Sequence, residues 1–419
     1  MTMASAKIDK ARPQTAAWLR SSNDISQQFL AFGGRADVVS LAGGLPAAEL
    51  YPLADVQAAA QAAMARHGAA ILEYGPVEGL PALRQLIAAR VSAETGGVFT
   101  AANVLLTTGS MQALDLIGKV LVDPGELIVA QAPTYLGALD AWRPRTPSYR
   151  PLDWDLADPD FDATLARAKF VYSVPNYSNP TGVLVSQQRR VALLDKVLAA
   201  GTWLVEDDPY LSIQLDGSPG PSILSHSVAR QTSPGPYDGP VIYLGTVSKS
   251  LVPGLRVGWV IAEAGMIQNL ALTKMASDLS GSLLTQAIAL ELMEREFDHQ
   301  HSRAIVPVYR ERRDALLREA ALRLSDWFEW DVPVGGMFVW MRSKGGTIDT
   351  DALYKFAVEE KVAYVPSSVF DFTGENRFAM RVNFTRSSPE VIADGVRRLA
   401  RAIENYLSAR QQLDRAGAV

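Results

Sequence analysis

The residues of this chain that could carry covalent or proton chemistry fall in a few short segments. In GTVSKSLVPGLRVGW, Gly245 to Trp259, a lysine, Lys249, stands among the hydroxyls of Thr246, Ser248 and Ser250, and Arg256 follows within an otherwise apolar run. Two cations in a short loop just past an apolar strand imply an anion between or beside them, and phosphate or carboxylate fits. A lone lysine is ordinarily a solvated surface charge. Here, desolvation and the neighbouring cation are expected to lower the lysine pKa, making its amine nucleophilic enough for Schiff-base chemistry.

Three further segments lie where strands run into helices. TTGSMQALDLIGKVL begins at Thr107, and Gly109 and Ser110 open an amphipathic helix whose bare N–H groups and dipole suit a phosphate. Taken alone, Ser110 reads as a plain N-cap. PNYSNPTG, Pro175 to Gly182, reads alone as a rigid turn; its other use is to hold the Asn179 amide at the mouth of a sheet. EDDPY, Glu206 to Tyr210, places consecutive acids at a strand end, where acids usually cap helices or stay solvated; one buried Asp could instead hold a proton on a ring nitrogen. GxGxxG and GxxxxGK[ST] are both absent. A phosphate site, a strand-end Asp and a Schiff-base lysine together describe pyridoxal 5'-phosphate.

The remaining sequence says what must position these groups. Helical periodicity covers Leu53 to Arg66, Leu80 to Ala93, Gln112 to Val122, Gln188 to Ala199, Leu283 to Glu296, Ile305 to Leu324 and Pro389 to Leu407. Short β-rich runs lie between: Val104 to Leu106, Leu127 to Ala130, Phe170 to Val174, Trp203 to Val205, Val241 to Leu244 and Leu255 to Ile261. The alternation predicts an α/β fold with a mostly parallel sheet covered by helices on both faces. After about Glu296 the pattern shifts to a long helix and strand candidates at Met337 to Met341, Ala363 to Val365 and Phe378 to Phe384, which reads as a smaller α+β domain. The organisation expected is an N-terminal segment over 1–50 packing near the site, a large cofactor domain over 51–300 and a small domain over 301–419. Gly217 to Pro240 reads as a surface loop or insertion.

Composition narrows the function. The 419 residues are long enough for more than one core. A net charge of -5 argues against nucleic acid as a main partner. No cysteine and four scattered histidines exclude thiol chemistry and leave little basis for a metal site. Charges at Lys7, Asp9, Lys10 and Arg12 break any signal-like apolar run, and no segment suits a membrane span, so a cytoplasmic protein is expected.

Taken together, SLAGGLP (Ser40 to Pro46), LEYGPVEG (Leu72 to Gly79), GSMQALDLIGKVLVDPGE, APTY, PNYSNPTG, EDDPY and GTVSKSLVPGLRVGW resemble, in order and spacing, the fold type I pyridoxal-phosphate aminotransferases of class I/II. The chain is most similar to the branch with 2-aminoadipate and kynurenine aminotransferases, from about residue 25 to about 405. The resemblance implies a seven-stranded large-domain sheet, a homodimer with shared active sites, and ping-pong transfer of an amino group from an L-amino acid to a 2-oxo acid such as 2-oxoglutarate. It also assigns roles. Lys249 would hold the cofactor as a Schiff base and then move the proton between the substrate and the cofactor. Asp207 would pair with the ring nitrogen, Tyr210 and Asn179 with the ring hydroxyl, and Tyr135 would stack on the ring. Ser110, Met111, Gln112, Ser248, Arg256 and Thr246 would bind the phosphate, with Met111 interrupting the family's usual Ser-Gln pair. Tyr74 would reach the phosphate of the partner subunit. Arg381, by spacing alone a surface residue of an edge strand, would bind the substrate carboxylate.

The same resemblance places the substrate side chain between an N-terminal helix, Ile25 to Gly34, and the loop with Gly43 and Gly44. Members taking acidic side chains can carry an arginine on that helix. This chain has Gln27 and Gln28 there, with Arg20 and Arg35 to either side, so an apolar or aromatic donor is expected ahead of 2-aminoadipate. β-Lyase or other Cα chemistry on the same fold stays open. The effector-sensing domain of a transcription regulator would need a further N-terminal domain, for which the matching region leaves no room.

Overall fold

The structure is a computed structural model and describes residues 16–21, 35 and 37–417. Its principal sheet has seven strands: β1 (Val104–Thr107), β2 (Leu127–Ala130), β3 (Ser148–Pro151), β4 (Ala168–Ser173), β5 (Trp203–Asp207), β6 (Val241–Thr246) and β7 (Gly258–Ile261), in the order β1-β7-β6-β5-β4-β2-β3. Only β7 runs antiparallel to its neighbours. Both faces of the central strands β4 and β5 are buried, at all but one residue each, and even the edge strand β1 is buried at all four residues. That is why these strands read as unbroken apolar runs rather than alternating ones.

Helices cover the sheet. Ser110–Leu121 buries Ala113, Leu114, Leu116 and Ile117 against it, and its opening turn follows β1 after two residues. The lysine loop leaves β6, the Tyr135 segment leaves β2, the Asn179 turn leaves β4, and Asp207 ends β5. All four of these strands are parallel, so these residues gather at one edge, the C-terminal ends where open α/β sheets bind ligands.

A second, antiparallel sheet of four strands follows: β8 (Phe328–Trp330), β9 (Phe338–Ser343), β10 (Val365–Pro366) and β11 (Ala379–Asn383), in the order β10-β11-β9-β8. Arg381 therefore sits in an interior strand, paired to Trp340 and Val365, and is 8% exposed; the spacing-based view of it as a surface residue of an edge strand is corrected. Val39–Ser40 pairs in parallel with Val362–Ala363, tying the segment before Gly43 to this region.

Other differences from expectation have local causes. β3 is an exposed edge strand, SYRP, with no apolar pattern to announce it. The helix Ala264–Asp278 carries apolar residues all round, burying Leu270 while leaving Leu272 and Met275 exposed, so it shows no single stripe. The helix Phe297–Arg323 begins eight residues before Ile305 and carries Pro307 within it. Tyr364 interrupts the expected strand Ala363 to Val365. Within Gly217 to Pro240 lies a short helix, Ile223–Val228, capped by Ser222.

Candidate active site

The gathered residues line one cavity of about 670 Å³, to which the seven-stranded sheet contributes Asp207 and the lysine loop and the four-stranded sheet Arg381. Lys249 Nζ donates 2.8 Å to the Gly44 carbonyl. Burial, aided by the positive charges of Arg381 and Arg256, lowers its pKa to about 8, so near neutrality a useful fraction of the amine is unprotonated.

The three acids of EDDPY part company. Glu206 accepts the N–H groups of Ile223 at 2.9 Å and Leu224 at 2.8 Å, capping that helix. Asp208 accepts from Asn176 Nδ2 at 2.9 Å and from the Tyr243 hydroxyl at 3.1 Å. Asp207 alone lines the cavity: Oδ2 accepts 2.8 Å from the Tyr172 hydroxyl, while Oδ1 is buried with no partner. Burial pushes its pKa up to about 7, and the Tyr172 bond pulls the other way. An acceptor buried without a donor is costly, so this oxygen calls for a proton-bearing group in the cavity.

The Arg381 guanidinium donates 2.7 Å to Asn179 Oδ1 and 2.7 Å to the Ala42 carbonyl, leaving Nε buried and unpartnered. It lies over the rings of Phe338 and Phe370, at 4.3 Å and 4.9 Å from their centroids. Burial lowers its pKa to about 10, which leaves it charged at neutral pH. Asn179, engaged through its oxygen, turns its amide N–H toward the Tyr210 hydroxyl. Burial raises the Tyr210 pKa, as it does that of Tyr135, pushed up to about 12. The Tyr135 hydroxyl sits 3.4 Å from Met111 Sδ.

At the cavity's other end the Gly109–Ser110 turn, Thr246, Ser248 and Arg256 converge. Thr246 Oγ1 donates to the Val257 carbonyl at 2.9 Å and accepts from the Ser248 N–H at 3.1 Å, which fixes the lysine loop. Arg256 donates 3.2 Å to the Thr108 carbonyl. Gly258 lies so close beneath that a Cβ there would stand 2.9 Å from the Gly109 carbonyl carbon and 3.0 Å from the Ser110 nitrogen.

Not every expected residue joins this group. Gln112 does not line the cavity: its Oε1 accepts the Thr108 N–H at 2.8 Å and its Nε2 donates 2.6 Å to Asp278, bracing the turn from behind. Tyr74 is 84% exposed and lies outside the cavity. Gln27 and the rest of Ile25 to Gly34 fall outside the described residues. Tyr172 and Arg386 were not anticipated. Tyr172 had a signal, since a tyrosine in a wholly buried strand must find a partner for its hydroxyl; Arg386 had none beyond its place after Arg381. A larger hollow of about 760 Å³ behind the lysine loop, lined by Glu94, Asp208 and Tyr243, shares Thr246 but holds neither Lys249 nor Asp207.

Pyridoxal phosphate suits the donor set: an unpartnered Asp207 oxygen for a protonated ring nitrogen, a helix start with hydroxyls and an arginine for a phosphate, and an amine of lowered pKa between them. The family profile for aminotransferase class I and II matches residues 37–399. The chain is 36% identical to aromatic-amino-acid aminotransferase 1 of Thermococcus litoralis over 88% of this chain and 89% of that one. It is also 36% identical to the 2-aminoadipate transaminase of Thermus thermophilus, over 91% and 94%. A Pyrococcus horikoshii kynurenine aminotransferase, solved in complex with PMP, superposes with a TM-score of 0.85 at 32% identity, covering 93% of this chain and 96% of that one. The chain thus belongs to the class I and II aminotransferases. Its activity is pyridoxal-phosphate-dependent transamination, on the fold type I scaffold and in the branch with the 2-aminoadipate and kynurenine enzymes.

Proposed function

We propose that this aminotransferase takes its amino group from an apolar or aromatic L-amino acid, with 2-aminoadipate as a further donor, and passes it to a 2-oxo acid such as 2-oxoglutarate. The observation that carries the catalytic assignment is Lys249, an amine of lowered pKa facing the unpartnered Asp207 oxygen across one cavity with Arg381. The aromatic and aminoadipate relatives, together with Phe338 and Phe370 beside Arg381, support the donor range.

When bound, the cofactor supplies an aldehyde for the incoming amine and a ring that takes up the electron pair released at the substrate Cα. The protein does the rest. Asp207 holds the proton on the ring nitrogen. Tyr210 and the Asn179 amide would bind the ring hydroxyl. Ser110, the Met111 backbone, Ser248, Thr246 and Arg256 hold the phosphate, with Gln112 bracing their turn. Arg381 receives the substrate carboxylate on its fork, and the flanking rings exclude water from that contact. Lys249, whose Nζ donates to the Gly44 carbonyl, would hold the cofactor as a Schiff base and, once the substrate amine has displaced it, would accept and return the proton at the substrate Cα.

The working unit we infer is a homodimer in which Tyr74 serves the partner's cavity. Tyr74 and Leu72, two residues apart, are large and exposed at 84% and 70%, apolar surface that a second subunit would cover. The large and small domains divide near residue 300, at the start of the long helix, and the compartment is the cytoplasm.

The test is the visible spectrum of the purified protein as single amino acids are added, aromatic ones first. Loss of the cofactor's visible band and growth of the near-ultraviolet band of its amine form marks a donor. Should no aromatic, aliphatic or acidic amino acid convert the band, the donor assignment fails.

A further inference from the structure

Five residues after Arg381, the chain carries a second guanidinium into the same cavity. Arg386 lines it, and its Nη1 stands 3.6 Å from where a side chain at Gly43 would begin. Arg381 holds the carbonyl of Ala42, the residue just before. The two cations thus address consecutive residues of one loop, whose Cα atoms are about 3.8 Å apart, one deep and buried, the other exposed at the cavity mouth.

The position of Arg386 is built. Asn383 Oδ1 accepts the N–H groups of Thr385 at 3.0 Å and Arg386 at 3.2 Å, while its Nδ2 donates to the Met337 carbonyl at 3.2 Å. Thr385 Oγ1 then donates 3.1 Å to the Leu45 carbonyl, pinning this turn to the loop that contains Gly43. Neither the absence of a side chain at Gly43 nor the cation beside it serves the core. Among the described residues no carboxylate lies within salt-bridge distance of Arg386, so its charge is unspent in the cavity it shares with Arg381. Its field reaches Tyr51, where it opposes the rise that burial imposes on the hydroxyl pKa.

We propose that Arg386 is the anchor for the distal carboxylate of dicarboxylic substrates. Arg381 takes the carboxylate next to the reacting carbon, Arg386 takes the one at the far end, and Gly43 leaves room for the chain between them. This rests on the transamination reading for its kinetic form, and it explains how a cavity walled by aromatic rings serves both apolar donors and an acidic 2-oxo acid. Apolar side chains pass beside Arg386, whose long stem can swing into solvent.

Two measurements on the holoenzyme, wild type beside Arg386→Ala and Arg386→Lys, decide it. With one donor fixed, the ratio of kcat/KM for 2-oxoglutarate to that for pyruvate falls at least tenfold in Arg386→Ala and recovers in part in Arg386→Lys. Calorimetric binding of the unreactive diacid glutarate, compared with butyrate, shows the same fall in the ratio of affinities. If both acceptors turn over and neither ratio moves by more than twofold, the anchor is overturned while transamination stands. If neither acceptor turns over in the wild type but the glutarate ratio still falls tenfold, the anchor stands and the acceptor assignment fails.

Discussion

The Tyr172 hydroxyl donates 2.8 Å to Asp207 Oδ2, and the other oxygen of that carboxylate has no partner among the described residues. The bond favours the ionised carboxylate against the burial that raises its pKa to about 7. Tyr172 thus acts through Asp207, and on the proposed function it is a positioning residue rather than one that touches the cofactor.

Tyr172→Phe should lower kcat by roughly ten- to a hundredfold, the equivalent of a hydrogen bond to a charged group worth about 1.5–3 kcal/mol. With that bond gone the Asp207 pKa rises further, so the acid limb of the kcat profile moves to higher pH. A purely space-filling tyrosine would leave the profile where it was, which is what the pH series checks.

Lys249 should titrate near pH 8 in the cofactor-free protein rather than above 10. Below that pH the amine is protonated and cannot attack; above it the lone pair is free. The rate of cofactor uptake, followed by absorbance, is expected to climb about tenfold per pH unit up to roughly 8 and then level off. Continued increase to pH 10 would show an unperturbed lysine.

Arg381→Ala removes a buried guanidinium that, on the proposed function, meets the substrate carboxylate. Losing one partner of such a pair costs about 2–5 kcal/mol, so kcat/KM for every amino acid should drop by roughly thirtyfold to several thousandfold. Primary amines without a carboxylate should show a far smaller change, and steady-state kinetics on both classes separates the two. Equal losses would mean that Arg381 only supports the fold.

Gly258→Ala would push a methyl group into the backbone at Gly109 and Ser110, which cannot swing aside as a side chain would. Overpacking of this kind costs about 1–3 kcal/mol, and here the strain falls on the phosphate turn. Equilibrium dialysis should find the cofactor Kd raised roughly five- to a hundredfold, with the secondary structure unaltered by circular dichroism.

Much of this is legible in the sequence. The parallel strands showed as unbroken apolar runs because they are buried on both faces, and the residues that leave them at Ser110, Asn179, Asp207 and Lys249 share one edge for that reason. What stayed hidden depends on contacts distant in sequence. Arg381 looked like a surface cation because its burial comes from Phe338, Phe370 and Ala42, none of them near it in the chain. Gln112 is next to the phosphate turn in sequence yet is drawn to Asp278, on a helix with no apolar stripe to reveal it. β3 and β8 are short edge strands, set by pairing rather than by pattern.

The cavity walls are drawn from Ser40 through Arg386, and the bond between Asn179 and Arg381 joins its two sides. No fragment shorter than Ser40 to Arg386 can assemble it, so a chain still emerging from the ribosome cannot capture the cofactor until nearly all of it has been made. Conversely, global unfolding must release whatever is held there. Free cofactor at a hundredfold over its Kd then adds about 2.7 kcal/mol to the stability of the whole fold. Cofactor scarcity thus shortens the lifetime of this protein as well as idling it.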